Sequence, residues 1–386
     1  MTAARIGLIG TGYIGRAHAI ALRSVGTVFP DVEPPVLELV ADTDAARAET
    51  AARELGFRRS TGDWRTLVVD PEVDVVVVCT PNHLHRDMAL AAIAAGKHVS
   101  CEKPLALSAA DAREMARAAD TAGLCHLVGF NYAVNPLLVT ARELIASGEI
   151  GEPIGFHGRY LEDYLADPGL AFTWRCERAL AGAGALADLG THLVDLAHGL
   201  LGDIARVAAR LTTVIGERRE PVSGRARRVE NEDCAQVLVE FANGVPGVVD
   251  VSRVATGYKC GLAFDLFGTR GSLRFDQERM NELQLYRNDD RAGLRGFRTI
   301  LAGPEHGDYR PFCPAPGHGL GINDLKVIES RNLLAAIERR RGDVRAPGAA
   351  PDFHEGARVQ RVIDAIERSH ADSAWVEVPA NGGVGR

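Results

Sequence analysis

The chain begins with a glycine pattern that restricts its fold more than any other feature. Gly10, Gly12 and Gly15 follow the apolar run Arg5–Ile9 and open a helical pattern. In such a strand–turn–helix unit the first glycine permits the tight turn and the second lets the backbone approach a pyrophosphate. The third lets the helix pack on the strand, and the helix N-terminus offers N–H groups to phosphates. The pattern predicts a dinucleotide-binding turn, the alternative being a plain glycine turn. The expected contacts are Gly10, Thr11, Gly12, Tyr13, Ile14 and Gly15.

The rest of the first third alternates short apolar runs with helical patterns. The predicted strands are 36–41, 74–79, 98–101 and 124–130, and the predicted helices between them are 43–55, 83–95 and 108–122. Strands that alternate with helices indicate parallel pairing, because a parallel connection needs a long crossover. Four consecutive valines at 75–78 fit a sheet covered on both faces. We therefore predict an α/β fold whose N-terminal Rossmann dinucleotide-binding domain spans 1–130.

After about residue 150 the apolar period becomes that of strands. The predicted strands are 154–161, 204–215, 234–241, 247–254, 262–267 and 272–275. Asn243-Gly244 lies between two of them and is typical of a hairpin turn. The segments 217–230 and 287–318 are interpreted as long connections, which are usually functional or mobile. We predict a C-terminal α+β domain over 131–386, with a large, mostly antiparallel, open-faced sheet.

Charge and composition exclude several classes of function. The net charge of -7 over 386 residues argues against nucleic acid as a partner, because neutralising phosphates needs a basic face. The sequence contains no apolar run near the roughly 20 residues that cross a bilayer, so no membrane role is expected. The N-terminus lacks signal-peptide features. Seven single cysteines fit reduced thiols in a cytoplasmic protein.

Asp42 ends the second predicted strand, where a carboxylate can bind the ribose hydroxyls of adenosine. Because a carboxylate there repels a 2′-phosphate, NAD is favoured over NADP. Arg47 keeps NADP open as the less favoured cofactor, and a solvated acid at the strand end is the alternative interpretation of Asp42.

Two further groups follow strands at the carboxyl edge of the predicted sheet, where ligands bind in open α/β folds. The first is the segment from Thr80 to His85, whose two histidines lack the carboxylate or cysteine partners of a metal site, so no metal is predicted. The second is Glu102-Lys103. A lysine at this position can donate a hydrogen bond to a developing alkoxide, although a surface lysine would be commoner.

Asp188 and His192 are four residues apart on a predicted helix and therefore share one face. A dehydrogenase needs a base that takes the hydroxyl proton as hydride leaves carbon. Histidine titrates in the right range, and a neighbouring carboxylate can orient it or the substrate. The upstream Gly182 and Gly184 would allow close approach of a flat nicotinamide or sugar ring. A histidine packed within a helix is the alternative interpretation.

These motifs together resemble the glucose–fructose oxidoreductase / inositol dehydrogenase family (Gfo/Idh/MocA) over nearly the whole chain. Within the family, the segments 160–163, 174–175 and 297–299 look most like the levoglucosan and inositol-type dehydrogenases. The resemblance implies that Lys103, Asp188 and His192 are catalytic, the histidine being the base. Implied cofactor contacts beyond the glycine turn are Asp42, Thr80, Pro81, Asn82, His85, Glu102, Lys103, Asn131, Trp174 and Arg175. Implied substrate contacts are Lys103, Tyr132, Tyr160, Asp163, Asp188 and His192.

The expected reaction is reversible oxidation of a ring hydroxyl of a sugar, cyclitol or aminosugar to a ketone, in a homodimer or homotetramer formed through the open sheet face. Ala133 departs from the family, whose members often carry arginine there. Without the positive charge of that arginine, and with the nearby acids Glu162, Asp163 and Asp167, the site could favour a cationic sugar. The commoner alternative is that these acids are solvated loop residues. The competing hypotheses are a non-catalytic regulator that binds NAD(P) on the same fold, and a reductase acting on dihydrodiols or bile pigments.

Overall fold

The computed structural model describes residues 3–340 and 350–380. The elements up to residue 134 are, in chain order, β1 (Arg5–Ile9), α1 (Tyr13–Val28), β2 (Val36–Ala41), α2 (Ala45–Leu55), β3 (Arg59–Thr61), α3 (Trp64–Val69), β4 (Val75–Val78), α4 (His85–Ala94), β5 (His98–Cys101), α5 (Ala109–Thr121) and β6 (His126–Val128).

The remaining elements follow in the same order. They are α6 (Pro136–Ala146), β7 (Pro153–Leu161), α7 (Arg178–Ala181), α8 (Thr191–Leu201), β8 (Ile204–Thr212), β9 (Glu217–Arg219), β10 (Ala226–Arg228), β11 (Cys234–Phe241), β12 (Pro246–Ser252), β13 (Gly261–Gly268), β14 (Gly271–Asp276), β15 (Glu282–Arg287), β16 (Arg298–Leu301), α9 (Ile322–Arg340), α10 (Phe353–Asp372) and β17 (Val376–Glu377). Among the described residues, every helix is too short or too polar to cross a bilayer.

The chain forms two compact units. The first comprises the described residues up to Val134 and those between Leu320 and Ala357, and the second comprises the remainder. The predicted division at 130/131 differs from this one, because residues 320–340 and 350–357 belong to the first unit. There α9 packs against α1, and the Val128 N–H donates to the Pro351 carbonyl at 3.1 Å. The spacing of apolar residues along a chain does not reveal such a return.

The first unit is built on a parallel six-stranded sheet in the order β3-β2-β1-β4-β5-β6. This is the doubly wound order of dinucleotide-binding folds, in which the strand order reverses between β1 and β4. The valines of β4 are all buried, as a sheet covered on both faces requires. Ser108 starts α5 by accepting a hydrogen bond from the Asp111 N–H at 3.2 Å. The predicted Rossmann architecture is confirmed.

The second unit contains a nine-stranded sheet in the order β16-β15-β14-β13-β7-β12-β11-β8-β17. Its neighbours are antiparallel except for β7 and β12, which run parallel. The predicted turn between β11 and β12 is present, with Gly244 at φ +84°. Strand β16 and the β9–β10 hairpin lie within the segments interpreted as long connections. These short strands were not predicted, because their sequences are polar and do not alternate clearly between apolar and polar residues.

The two faces of this sheet differ in burial. On β11, the residues Ala235, Val237 and Val239 are buried, whereas the intervening Gln236 is exposed and Leu238 is 50% exposed. Helix α8 contacts β7 on the buried face. On the other face, Leu238 lies opposite Val248 of β12. Considering only residues 3–340 and 350–380, the sheet is therefore covered on one face and open on the other.

Candidate functional site

The geometry of the glycine turn agrees with the role expected of each of its three glycines. Gly10 adopts φ +97°, which favours glycine. A Cβ on Gly15 would lie 2.0 Å from the Gly10 carbonyl oxygen, so only glycine lets α1 pack this closely on the turn. A Cβ on Gly12 would meet no atom within 4 Å, and Gly12 is exposed. The backbone at Gly12 is thus open to close approach by a ligand.

The N-terminus of α1 suits an anion. Gly12 is its N-cap residue and supplies no side-chain cap, and the first turn contains no acidic residue. The N–H groups of this turn therefore keep their donor capacity, and the helix dipole adds positive charge. Tyr13 is 77% exposed beside the turn, and Thr11 and Ile14 are half-buried. A dinucleotide pyrophosphate fits this combination of open backbone and uncapped helix.

The Asp42 carboxylate is tied to the glycine turn. Its Oδ2 accepts the Thr11 N–H at 3.1 Å and the Thr11 hydroxyl, and Arg47 Nη2 lies 3.2 Å from the same oxygen. Burial alone would raise the pKa of Asp42, but the hydrogen bonds from Thr11, aided by Arg47, lower it below its ordinary value. Asp42 is therefore ionised at neutral pH, although Arg47 offsets part of its charge.

His85 has a different place from the one expected of a cofactor contact. Its side chain is fully buried, with Nε2 2.8 Å from the Thr80 carbonyl and Nδ1 2.8 Å from the Pro104 carbonyl. Burial lowers the pKa of His85 despite these contacts. The ring therefore links the loop after β4 to the loop after β5. Thr80 and Pro81 are half-buried in the first of these loops, and Asn82 is buried.

Glu102 likewise points into the protein. Its Oε1 lies 2.7 Å from His18 Nε2 and accepts a hydrogen bond from Lys326 Nζ at 2.6 Å. The same ammonium is 3.2 Å from both oxygens of Glu329, and a Cβ on Gly129 would lie 2.7 Å from the Glu102 carboxylate. The Glu102 carboxylate is thus buried beneath the turn that carries Lys103, and a cofactor contact by this residue stays a prediction.

The charges of this buried cluster can be assigned from its contacts. Burial alone would raise the pKa of Glu102, but Lys326 and His18 hold it well below its ordinary range. Burial alone would lower the pKa of Lys326, but Glu102 and Glu329 raise it well above its ordinary range. Burial raises the pKa of Glu329. Glu102 and Lys326 therefore form a buried ion pair. Within the same unit Lys103 is half-buried directly after Glu102, while Asn131 and Tyr132 are buried.

In the second unit, Asp188 and His192 lie on one continuous helical run. Residues Leu186–Gly190 form a π-turn, in which the Thr191 N–H donates to the Leu186 carbonyl, and α8 continues from Thr191. Such turns occur frequently at functional sites. Asp188 is 29% exposed by its side chain, whereas His192 is buried. Two residues four apart on one run project in similar directions.

Glu232 holds the beginning of this helical run. Its Oε1 accepts the Leu186 N–H at 2.9 Å, and its carbonyl accepts the Ala185 N–H at 3.0 Å. A Cβ on Gly184 would lie 2.0 Å from that carbonyl oxygen. The close approach that Gly184 permits is therefore to Glu232 rather than to a nicotinamide or sugar ring, and Gly182 adopts φ +75° where α7 ends. A carboxylate at a helix N-terminus is favourable.

Asp188 has two neighbours on the segment that follows β7. The Tyr164 hydroxyl donates to Asp188 Oδ2 at 2.7 Å, and Arg175 Nε lies 3.6 Å from the same oxygen. The Arg175 guanidinium also stacks 4.6 Å from the Trp174 ring. Tyr164 and Glu232 could not be predicted from the sequence, because each meets the helical run only through folding. The one available signal was a tyrosine one residue beyond the predicted site residue Asp163.

Tyr160 and Asp163 lie on either side of the end of β7. Tyr160 is buried, with its ring 6.2 Å from that of His192 and its hydroxyl 3.6 Å from Cys260 Sγ. Asp163 Oδ2 forms an ion pair with Lys259 Nζ at 2.6 Å and accepts the Gly257 N–H at 3.1 Å. Lysine therefore already compensates the charge of Asp163.

Two groups of histidines and carboxylates among the described residues merit comparison with metal sites. In the first, His126 Nδ1 accepts the Phe353 N–H at 3.1 Å, so Nε2 carries the proton and faces Asp120 at 3.3 Å. A metal would need the lone pair of that nitrogen. In the second group, formed by His18, Glu102 and Glu329, the ammonium of Lys326 already supplies the positive charge. Neither arrangement suits a metal ion.

Comparison with known proteins agrees with this geometry. Residues 4–130 match the model of the oxidoreductase family with an NAD-binding Rossmann fold, and residues 138–274 match the GFO/IDH/MocA C-terminal domain. A levoglucosan dehydrogenase of Pseudarthrobacter phenanthrenivorans is 38% identical over 97% of this chain and 98% of its own length. A myo-inositol 2-dehydrogenase of Thermotoga maritima is 30% identical over 77% of this chain and 81% of its own length.

A solved structure of levoglucosan dehydrogenase in complex with NADH and levoglucosan is also similar. Its TM-score is 0.93 at 38% identity, and the match covers 98% of this chain and 100% of that one. Matches of this extent include both the Rossmann unit and the second unit, whose helical run carries Asp188 and His192. The chain therefore belongs to the GFO/IDH/MocA family of NAD-binding oxidoreductases.

Proposed function

We propose that this protein is a dehydrogenase that oxidises a ring hydroxyl of a sugar or cyclitol to a ketone with NAD, reversibly. The observation that carries the proposal is an ionisable pair, Asp188 and His192, on one helical run in a chain that also has an NAD-binding glycine turn. Family membership and the likeness to sugar and inositol dehydrogenases support the reaction class.

The glycine turn and Asp42 hold the cofactor in this proposal. The open backbone at Gly12 and the uncapped N-terminus of α1 receive the pyrophosphate. Asp42 receives the adenosine ribose and disfavours a 2′-phosphate. Its partner Arg47, whose side chain is 63% exposed, weakens that discrimination without removing it. When bound, NAD supplies the carbon that accepts the hydride.

The protein's own residues manage the hydroxyl proton. His192 takes the proton from the substrate hydroxyl, because an imidazole titrates near neutral pH. Asp188 orients the substrate or His192 through its carboxylate, and Lys103 donates a hydrogen bond to the oxygen as negative charge develops on it. Asn131, Trp174 and Arg175 are further proposed cofactor contacts, and Tyr132 and Tyr160 are proposed substrate contacts.

A neutral substrate fits the second unit better than a cationic one. Asp163 is paired with Lys259, and Asp167 Oδ1 accepts the N–H of Gly169 in its own loop at 2.7 Å. These acids therefore have partners that do not depend on a substrate. Likeness to levoglucosan dehydrogenase, named for an uncharged anhydrosugar, points the same way.

We also propose a homo-oligomer formed through the open sheet face, in a reducing compartment such as the cytoplasm. The exposed pair Leu238 and Val248 on that face supports the first proposal, because apolar side chains there would be buried by a second copy. All seven cysteines are free thiols, which supports the second.

The test is a screen of uncharged sugars, cyclitols and aminosugars with NAD and with NADP, in which the absorbance of reduced cofactor is followed. We expect turnover of an uncharged sugar or cyclitol with NAD. If NAD binds but no candidate turns over, the regulator hypothesis would replace the dehydrogenase. Equal preference for aminosugars would restore the cationic alternative.

A further inference from the structure

Tyr164 contacts the Asp188 carboxylate directly. Its hydroxyl donates to Oδ2 at 2.7 Å, and Arg175 Nε is 3.6 Å from that same oxygen. Burial and the nearby charge of Asp188 raise the pKa of Tyr164 well above its ordinary value. The hydroxyl therefore keeps its proton and remains a donor, so one oxygen of Asp188 is held from a fixed direction.

Tyr164 is itself fixed by its backbone. It lies on the loop between β7 and residue 172, where the Glu162 N–H donates to the Ser252 carbonyl at 2.8 Å and the Leu165 N–H donates to the Arg253 carbonyl at 3.1 Å. These two bonds flank Tyr164 and attach the start of the loop to the end of β12. These two hydrogen bonds do not reach the part of the loop that follows Leu165.

Arg218 of β9 supports that part of the loop. Its side chain is buried and donates to three backbone carbonyls of the loop, those of Leu165, Asp167 at 2.9 Å and Leu170 at 3.3 Å. A guanidinium presents several N–H donors in a rigid planar fork, so it can satisfy several diverging carbonyls at once. The loop therefore closes around this one side chain.

The remainder of the β9–β10 hairpin packs on the same loop. The Phe172 N–H donates to the Arg219 carbonyl at 2.7 Å, and the Arg227 guanidinium lies 4.3 Å from the Phe172 ring. Phe172, Cys176 and Val229 form a small buried cluster beneath it. The β9–β10 hairpin therefore packs against the loop and stabilises it.

We propose that Tyr164 is a positioning residue that fixes the Asp188 carboxylate, and that the β9–β10 hairpin holds Tyr164 in place through Arg218. The inference rests on the proposed function, in which Asp188 serves the reaction. With one oxygen held by Tyr164, the carboxylate has a set orientation toward substrate or base. Without that bond it can rotate, and the reacting groups lose alignment.

Tyr164→Phe tests the first step, because it removes one hydroxyl and keeps the ring. We expect kcat to fall about 10- to 100-fold while the Kd for NADH stays unchanged. On the acidic side of the kcat/KM profile, below the limb set by His192, a second loss of activity should begin at higher pH than in the wild type, because the Asp188 carboxylate protonates more easily without this hydrogen bond. Tyr286→Phe is the matched control. Tyr286 lies on β15 and packs against Phe297, so its substitution should change neither kcat nor the pH profile.

Arg218→Met tests the second step through a double-mutant cycle with Tyr164→Phe. If Arg218 acts through Tyr164, Arg218→Met should lower kcat strongly in the wild type and little in the Tyr164→Phe background. Arg218→Lys should show a smaller loss of kcat with the same dependence on Tyr164. It replaces Arg218→Met in the cycle if thermal unfolding shows that the methionine variant is not folded.

Asp188→Asn in the same assay separates the two levels of the proposal. If it retains full activity, the role of Asp188 in the proposed function is wrong. If it is inactive while Tyr164→Phe keeps normal kcat and pH profile, the positioning role of Tyr164 is overturned. If the losses from Arg218→Met and Tyr164→Phe are additive, the hairpin does not act through Tyr164.

Discussion

Single side chains in this protein carry both structural and chemical tasks. Asp42 holds Thr11 of the glycine turn by two hydrogen bonds while it carries the negative charge proposed to select NAD. The side chains of His85 and Glu102, two of the predicted cofactor contacts, are buried and support the loops that follow β4 and β5. A residue at the carboxyl edge of the sheet can therefore shape the site through its buried side chain.

Asp42 can be tested with two variants that separate these tasks. Asp42→Ala removes both charge and acceptors, so we expect weaker use of NAD and relatively better use of NADP. Asp42→Asn keeps an oxygen for the Thr11 N–H and removes only the charge, so it should raise the NADP/NAD ratio of kcat/KM with less loss of NAD use. The comparison of this ratio with that of the wild type is the measurement, and an unchanged ratio in both variants would contradict the assignment.

At the scale of elements, α9 is joined to the end of β5 by a buried ion pair. Lys326 of α9 bonds Glu102, which directly precedes Lys103. A buried pair contributes little compared with a well-packed apolar pair, but removing one partner leaves a buried charge without compensation. A displacement of α9 would therefore disturb the turn that carries Lys103.

Lys326→Met should lower the free energy of unfolding by about 3–5 kcal/mol, because it leaves the Glu102 carboxylate buried without its ammonium. Arg53→Met, which breaks an exposed i,i+4 pair with Glu49, is the control and should cost only about 0.3–0.5 kcal/mol. Urea unfolding of both variants measures the difference. Equal small losses would mean that Glu102 is compensated by other groups.

The Lys326 variant should also change the acid dependence of stability. In the wild type the pKa of Glu102 is depressed in the folded state. Its contribution to stability is therefore present above the unfolded pKa, near 4.5, and is lost only as pH falls through the lower folded value. Lys326→Met should raise the folded pKa, so this contribution should be absent at neutral pH already. A wild-type-like pH curve would contradict the assignment.

At the scale of the whole molecule, local patterns predicted far more than long-range contacts. The glycine turn, the parallel strands and the turn between β11 and β12 depend on residues close in sequence, so they could be predicted. The return of residues 320–340 and 350–357 to the first unit could not be predicted, because it depends on which helix packs against α1. The partners Lys326 and Tyr164 were missed for the same reason. A lysine between buried Leu325 and Ile328 was the signal available for the first.

The open sheet face leads to a prediction about assembly. Replacing Leu238 and Val248 together by lysine should shift the protein to smaller species, because like charges would face each other across the proposed contact. Sedimentation velocity measures the change, and Val222→Lys, at a fully exposed position in the turn between β9 and β10, is the control. An unchanged distribution would place the contact elsewhere, or show that the chain is monomeric.

In the proposed mechanism, Lys103 and His192 serve hydride transfer rather than cofactor binding. The most direct measurement compares turnover with the Kd for NADH in Lys103→Ala, His192→Ala and the wild type. We predict a loss of about 10²–10⁴-fold in kcat, a nearly unchanged Kd, and a flattened acidic limb of the pH profile for His192→Ala. Full turnover in either variant would remove that residue from the mechanism, and lost NADH binding would assign it a structural role instead.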